Sequence, residues 1–285
     1  MKNISIVIPT RHRNEHLEEC LTLLSPDLQN YHSNNYEVIV SDDGSKTTSE
    51  KLIREKFPWV KWVKGPQKGP AANRNNGVKY AKFNWIAFTD DDCLPSKTWL
   101  TSFSDAIGDH PKGNVFEGRT EADRRKRRFN EVAPINSNGG LLWSCNLMVR
   151  KSYYLSLGGY CEEFKFELED IEFRTRVQKD KQPIIFVPKA FVCHPWRRID
   201  NKYKVEYESV LIFLKRHPDH QKHYSLITRL KIIAVMTVNL FKDAFRFKFR
   251  GIGYAIVDLL YELRSAFVVH FKIAANQKQI NKSVS

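Results

Sequence analysis

Four short apolar runs rich in β-branched and aromatic residues punctuate the first part of the chain, at Ile4–Ile8, Tyr36–Ser41, Trp59–Val63 and Trp85–Thr89. Helical patterns fall between them. After Asn14, residues Leu17, Cys20, Leu21 and Leu24 share one helical face; a second pattern holds Leu52 and Ile53, and a third runs through Ala81. This alternation predicts a βαβαβαβ unit, a mostly parallel sheet flanked by helices, because parallel neighbours need a crossover long enough to hold a helix. Ligands of such sheets sit outside the carboxyl ends of the strands. The polar residues fall there: Thr10 and Arg11 after the first run, Asp42 and Asp43 after the second, and Asp90, Asp91 and Asp92 after the fourth.

The middle of the chain is less regular. Leu100–Ile107 reads as a helix, Asn114–Glu117 as a short strand and Glu121–Asn138 as a polar, basic loop. The run Gly139–Val149 reads as a strand, followed by a helix that ends at Gly158-Gly159. Glu167–Gln178 has helical spacing, and Pro183–Val192 is a final strand leading into His194-Pro195-Trp196. From about Tyr203 the pattern turns helical and amphipathic. The expected division is therefore an α/β domain over residues 1–200 and a basic helical extension over 201–285.

With 285 residues the chain can bury a full α/β core and keep an appendage. A hydrophobic fraction of 42% argues against disorder. The net charge of +14 is uneven: from Trp196 onward there are 17 Lys and Arg against 7 Asp and Glu, which favours anionic partners such as lipid, nucleic acid or phosphorylated substrates. A second basic run, Arg124–Arg128, reads either as a solvated loop or as part of such a contact. Five cysteines without CxxC spacing fit a reduced, cytoplasmic setting. Ile4–Ile8 is too short and too β-branched for a signal-peptide core. The apolar stretch Ile232–Phe241 is too short to span a bilayer and is flanked by Arg229, Lys231 and Lys242. Two readings of these helices stay open: packing on the core or on each other, or peripheral contact with an anionic membrane, to which the alternating Phe and basic residues of Phe241–Arg250 are suited.

Three consecutive carboxylates at a strand end are costly unless a cation or a set of donors neutralises them. Asp90 and Asp92 project alike from an extended turn, so both can face one Mn2+ or Mg2+, hard ions that take oxygen ligands and bridge to phosphates. Gly69–Gly77 opens a helix whose N-terminal amides and Arg74 suit a nucleotide diphosphate. Each piece also has a plainer reading. The acidic turn can simply be solvated, Glu169-Asp170 can complement a helix dipole, and His194 can be an ordinary strand-end histidine.

Taken in order, Val7–Arg11, Val40–Ser45, Gly69–Gly77, Phe88–Pro95 and Gly158–Phe164 followed by Glu169-Asp170 resemble the family-2 glycosyltransferases of the GT-A fold, over roughly residues 3–195. The resemblance implies inverting transfer of a sugar from a nucleotide-sugar donor, a UDP-sugar, to a hydroxyl of a glycan or lipid-linked acceptor in bacterial surface polysaccharide synthesis. It implies nucleotide contacts at Pro9, Thr10, Arg11, Asp43 and Arg74, with Asp42 at the base. It makes Asp90 and Asp92 the D-x-D element, Asp92 the direct metal ligand, and His194 a residue near metal and diphosphate. Asp91, which replaces a commonly small residue, is a ligand or a hydrogen-bond acceptor. Asp170 is the implied catalytic base, with the like charge of Glu169 expected to raise its pKa. The Q-x-x-R-W motif of processive members is missing near Trp196, which favours single addition. The expected location is cytoplasmic, peripheral at the inner face of a membrane. A nucleic-acid partner is not expected, because carboxylates at successive strand ends repel phosphate without a metal. The alternative is a catalytically silent module that binds a nucleotide-sugar, anionic lipid or nucleic acid.

Overall fold

The computed structural model describes residues 2–165, 167–198 and 206–284. The chain separates into two compact units, one made of residues 1–124 with 133–195, the other of 125–132 with the segment from 196 onward. The expected boundary between 200 and 201, and the onset of the helical pattern at Tyr203, lie outside the described residues.

The first unit is built on β1 (Ile4–Thr10), β2 (Tyr36–Asp42), β3 (Val60–Lys64) and β4 (Trp85–Phe88), joined by α1 (Asn14–Leu23), α2 (Glu50–Lys56) and α3 (Pro70–Lys79). All seven residues of β1 are buried, as a strand with helices on both faces requires. Period-two alternation divides its side chains. Ile4, Ile6 and Ile8 pack with Leu17 and Leu21 of α1, whereas Val7 packs in the other layer with Ala71 and Val78 of α3. Each such aliphatic side chain contributes about 1.5–3 kcal/mol by leaving water. Gly77 lets α3 approach: a Cβ there would meet Val7 Cγ1 at 2.4 Å.

The sheet continues through β5 (Leu94–Pro95), β6 (Val115–Ala122), β8 (Leu147–Arg150) and β9 (Ile184–His194), in the order β3-β2-β1-β4-β8-β6-β9-β5. β1 to β4 pair in parallel, β8 runs antiparallel to both β4 and β6, and β6 pairs with β9 in parallel. Helices α4 (Trp99–Asp109), α5 (Lys151–Ser156) and α6 (Glu169–Lys179) complete the unit. The register places Thr10 opposite Asp42, so the first two strands end level.

Two expectations are corrected. The strand expected at Asn114–Glu117 extends to Ala122. The strand expected over Gly139–Val149 begins only at Leu147, after a left-handed Leu142 (φ 51°) and a 3-10 turn at Ser144–Asn146. The cause is Glu117. Its buried carboxylate accepts the Leu142 N–H at 2.7 Å, the Gly140 N–H and the Asn136 amide at 2.8 Å, so a side chain takes the donors that a strand ladder would have used.

The second unit holds β7 (Glu131–Val132) paired antiparallel with β10 (Arg197–Arg198), and helices α7 (Glu206–Arg216), α8 (Leu226–Arg246) and α9 (Ile252–Val284). Arg125–Arg128 belongs to it and is more than a solvated loop: Lys126 is half-buried over the Trp196 and Phe247 rings, and Phe129 meets Phe247 edge-on at 5.0 Å. Among the described residues no single helix is long and apolar enough to cross a membrane; the bent pair Pro218–Tyr224 with Leu226–Arg246, at 42°, meets the length and composition of a span.

Candidate active site

The strand ends of the first unit bring the implicated residues together in three linked groups. The first anchors the loops around the expected nucleotide. Pro9 is buried opposite Ser41, and the Asn73 amide donates to the carbonyls of Ser41 (2.8 Å) and Thr10 (3.3 Å), tying α3 to β1 and β2. Asp43 accepts from the backbone N–H groups of Gln67 (2.8 Å) and Gly69 (3.2 Å), and burial raises its pKa against those donors and the nearby Arg11. Arg11 itself is exposed. Asp42 accepts from Gly44 N (2.8 Å), Ser49 N (2.6 Å), Ser49 Oγ (2.7 Å) and Trp62 Nε1 (3.2 Å). Those bonds close the loop after β2.

The second group is the acidic turn. Asp91 accepts from Thr10 Oγ1 at 2.7 Å, and Arg13 Nη1 lies 3.0 Å from Asp91 Oδ1 and 2.9 Å from Asp92 Oδ2. Burial, helped by the charges of Asp92 and Asp90, lifts the Asp91 pKa to about 6 despite Arg13 and Thr10. Asp92 Oδ1 lies 3.3 Å from His194 Nε2, both side chains being buried. Asp92, Cys93 and His194 are the described residues whose ligand atoms converge, within 4.8 Å of one another. A carboxylate and an imidazole fit Mn2+ better than Mg2+, which takes oxygen ligands; the Cys93 thiol, held protonated by burial, is a poor partner for either hard ion. Asp90, the other expected ligand, has Oδ1 2.6 Å from Arg74 Nη2.

Arg74 leads into the third group. Its Nη1 lies 3.1 Å from Glu169 Oε1, and its guanidinium lies 5.7 Å from the Tyr160 ring centroid. Burial works against this charge, and Asp90, Asp170 and Glu169 more than offset it. Glu169 and Asp170 start α6, and both carboxyls are raised, first by burial. The like charge of Asp170 then adds to the lift on Glu169, and that of Asp90 to the lift on Asp170. Ser144 Oγ donates to Asp170 Oδ2 at 3.2 Å, while Oδ1 is buried and accepts no hydrogen bond among the described residues. Sequence reasoning missed Arg13 and Ser144. Arg13 lies just beyond the strand-end residues, and Ser144 lies in the segment read as a strand.

Comparison with known proteins places this geometry. The family model described as Glycosyl transferase family 2 matches residues 5–155. Over 217 residues the chain is 24% identical to "Glycosyltransferase AglE" of Haloferax volcanii, spanning 72% of this chain and 70% of that protein. Over 130 residues it is 37% identical to a chondroitin synthase of Escherichia coli, 44% of this chain but only 18% of the synthase. The crystal structure of S. aureus TarS 1-349 in complex with UDP-GlcNAc superposes with a TM-score of 0.59 at 19% identity, over 96% of this chain and 92% of that one. The likeness establishes a GT-A-like α/β fold.

Proposed function

This chain belongs to glycosyl transferase family 2, and on that premise we propose that it moves a sugar from a UDP-sugar to a hydroxyl of a glycan or lipid-linked acceptor, with inversion at the anomeric carbon. The observation that carries the reading is the state of Asp170: Ser144 holds one carboxylate oxygen, and the other is buried with no donor among the described residues. Such an oxygen is poised to take a proton.

In the proposed reaction the acceptor oxygen forms a bond to the anomeric carbon as the bond to the diphosphate breaks, and the hydroxyl proton passes to Asp170 Oδ1. UDP leaves with the bonding electron pair. Burial raises the basicity of Asp170 toward the neutral range, where a general base is most effective. Arg74, charged and fixed between Asp90 and Glu169, supplies positive charge for the donor diphosphate. Asp43 and Asn73 hold the loops on which Pro9, Thr10 and Arg11 approach the nucleotide. Asp92 and His194 would hold Mn2+, with Asp92 alone of the two suited to Mg2+, and the ion when bound offsets the charge developing on the diphosphate. The UDP-GlcNAc bound to TarS supports a UDP-linked donor, and the name of the chondroitin synthase supports a glycan acceptor.

The test is a panel of UDP-sugars with Mn2+, read as UDP release with and without acceptor oligosaccharides. Asp170→Asn is expected to lower turnover by about 100-fold or more while calorimetric binding of the same UDP-sugar persists. Full turnover in that variant refutes the assignment; binding without turnover in the parent chain points to a silent module.

A further inference from the structure

The helices of the second unit distribute polarity in reverse. Between α8 and α9, Arg229 is buried and donates to Glu262 at 2.6 Å and to Ser265 at 3.1 Å. Outward, α8 turns Ile227, Leu230, Val238, Phe241 and Phe245 to the surface on one helical face, and exposes Val235 and Ile232 to one side of it. On α9 the residues Ile256, Val257, Leu260, Leu263, Phe267 and Phe271 are exposed on one broad face, and Tyr254 is exposed to one side of it. A helix pair that faces only water does the opposite, and continuous apolar stripes of this size mark an interaction surface.

We propose that this unit docks on an anionic membrane surface through the outer faces of α8 and α9, with the turn that joins them as the main anchor. The argument for lipid lies in the last turns of α8 and the turn that follows. Phe241, Phe245 and Phe249 are 71%, 81% and 52% exposed, and the exposed cations Lys242, Arg246, Lys248 and Arg250 are interleaved with them. Aromatic rings of this kind enter the boundary between headgroup and acyl chain, while long basic side chains reach back to lipid phosphates. From Ser225 to Lys272 there are eight Lys and Arg against three Asp and Glu, and one of those acids, Glu262, is already paired with Arg229. A second copy of the chain fits less well, because a two-fold contact through this turn sets the same cations against one another. The surface does not depend on the sugar-transfer reading, so either can fail alone.

The experiment is co-sedimentation of the full chain with phosphatidylcholine vesicles and with vesicles that also contain phosphatidylglycerol, alongside size-exclusion measurement of mass. Binding is expected to the anionic vesicles only and to be released by high salt. It is expected to fall about tenfold in Phe241→Ser/Phe245→Ser and in Lys242→Gln/Lys248→Gln, with helical circular dichroism unchanged. Should the Phe variant not fold, the Lys pair, which alters only exposed charge, decides alone. Four outcomes overturn the proposal: equal binding to neutral vesicles, binding insensitive to both variants, retention that resists salt, and a dimer split by the Phe variant with no vesicle binding in the parent chain.

Discussion

His194 Nε2 lies 3.3 Å from Asp92 Oδ1, while Nδ1 of the same ring lies 2.8 Å from the Pro195 carbonyl oxygen. A carbonyl oxygen only accepts, so Nδ1 carries a hydrogen. Nε2 then meets the carboxylate either as the second N–H of an imidazolium or as a lone pair with a cation between them. Both arrangements keep the ring aimed at Asp92, and the second is a metal site with its imidazole orientation already set.

Mn2+ binding measures this directly. His194→Ala and Asp92→Asn are each expected to weaken Mn2+ binding by about 100-fold or more by calorimetry, since even the outer partners of metal ligands cost about 10–100-fold. Unchanged affinity in both would remove this pair from the metal.

Arg13 predicts the opposite sign. Its guanidinium sits against Asp91 and Asp92 where a divalent ion held by Asp92 would add its charge, so the two cations would compete. Arg13→Gln should bind Mn2+ severalfold more tightly in the absence of nucleotide and should melt at a lower temperature without metal. The side chain is 39% exposed, so both effects are modest. Weaker Mn2+ binding in the variant would contradict the competition.

Arg74 separates burial from charge. It sits between Asp90 and Glu169, and Arg74→Met leaves those carboxylates without their buried partner, at a cost of about 3 kcal/mol by chemical denaturation. Glu169→Gln placed on top should recover part of that loss. If the two effects simply add, the carboxylates are not coupled through Arg74.

The pH dependence follows from the direction of two shifts. As the proposed base Asp170 would act ionised, and burial raises its pKa, so kcat/KM should climb through a range above the ordinary Asp titration near 4. Ser144 stabilises the ionised form; Ser144→Ala should move that limb to higher pH, and movement downward would exclude the hydrogen bond from base tuning. Glu169 is also raised in the folded chain, so the fold holds its proton more tightly than the unfolded chain does. Its contribution to stability is full below the ordinary Glu value near 4.3 and is lost as pH rises through the higher folded value, a decline that Glu169→Gln should flatten in thermal melts.

Much of the site was legible because its residues sit at strand ends, where the chain must turn and polar groups meet solvent. Thr10, Asp43, Asp90, Asp91 and Asp92 were found that way. Position at a strand end does not by itself separate the roles within the set; the resemblance left Asp91 as ligand or hydrogen-bond acceptor, and in the fold Asp91 accepts from Thr10 while the adjacent Asp92 faces His194. Likewise, the lift on Asp170 comes first from burial, which a neighbouring Glu in the sequence does not reveal.

Local pattern by itself determined β1 to β4 and their helices, because alternation of period two and helical spacing each select a backbone that buries one set of side chains. It also determined the charge and amphipathicity of α8 and α9. Only the tertiary structure decided which distant groups meet. β8 enters between β4 and β6, and β9 pairs with β6, so α6 delivers Glu169 to Arg74 and β9 delivers His194 to Asp92. It also decided that Glu117 takes the backbone donors near Leu142, stopping a strand there and leaving Ser144 to hold Asp170. Those contacts depend on strand order, which side-chain periodicity along one segment does not encode.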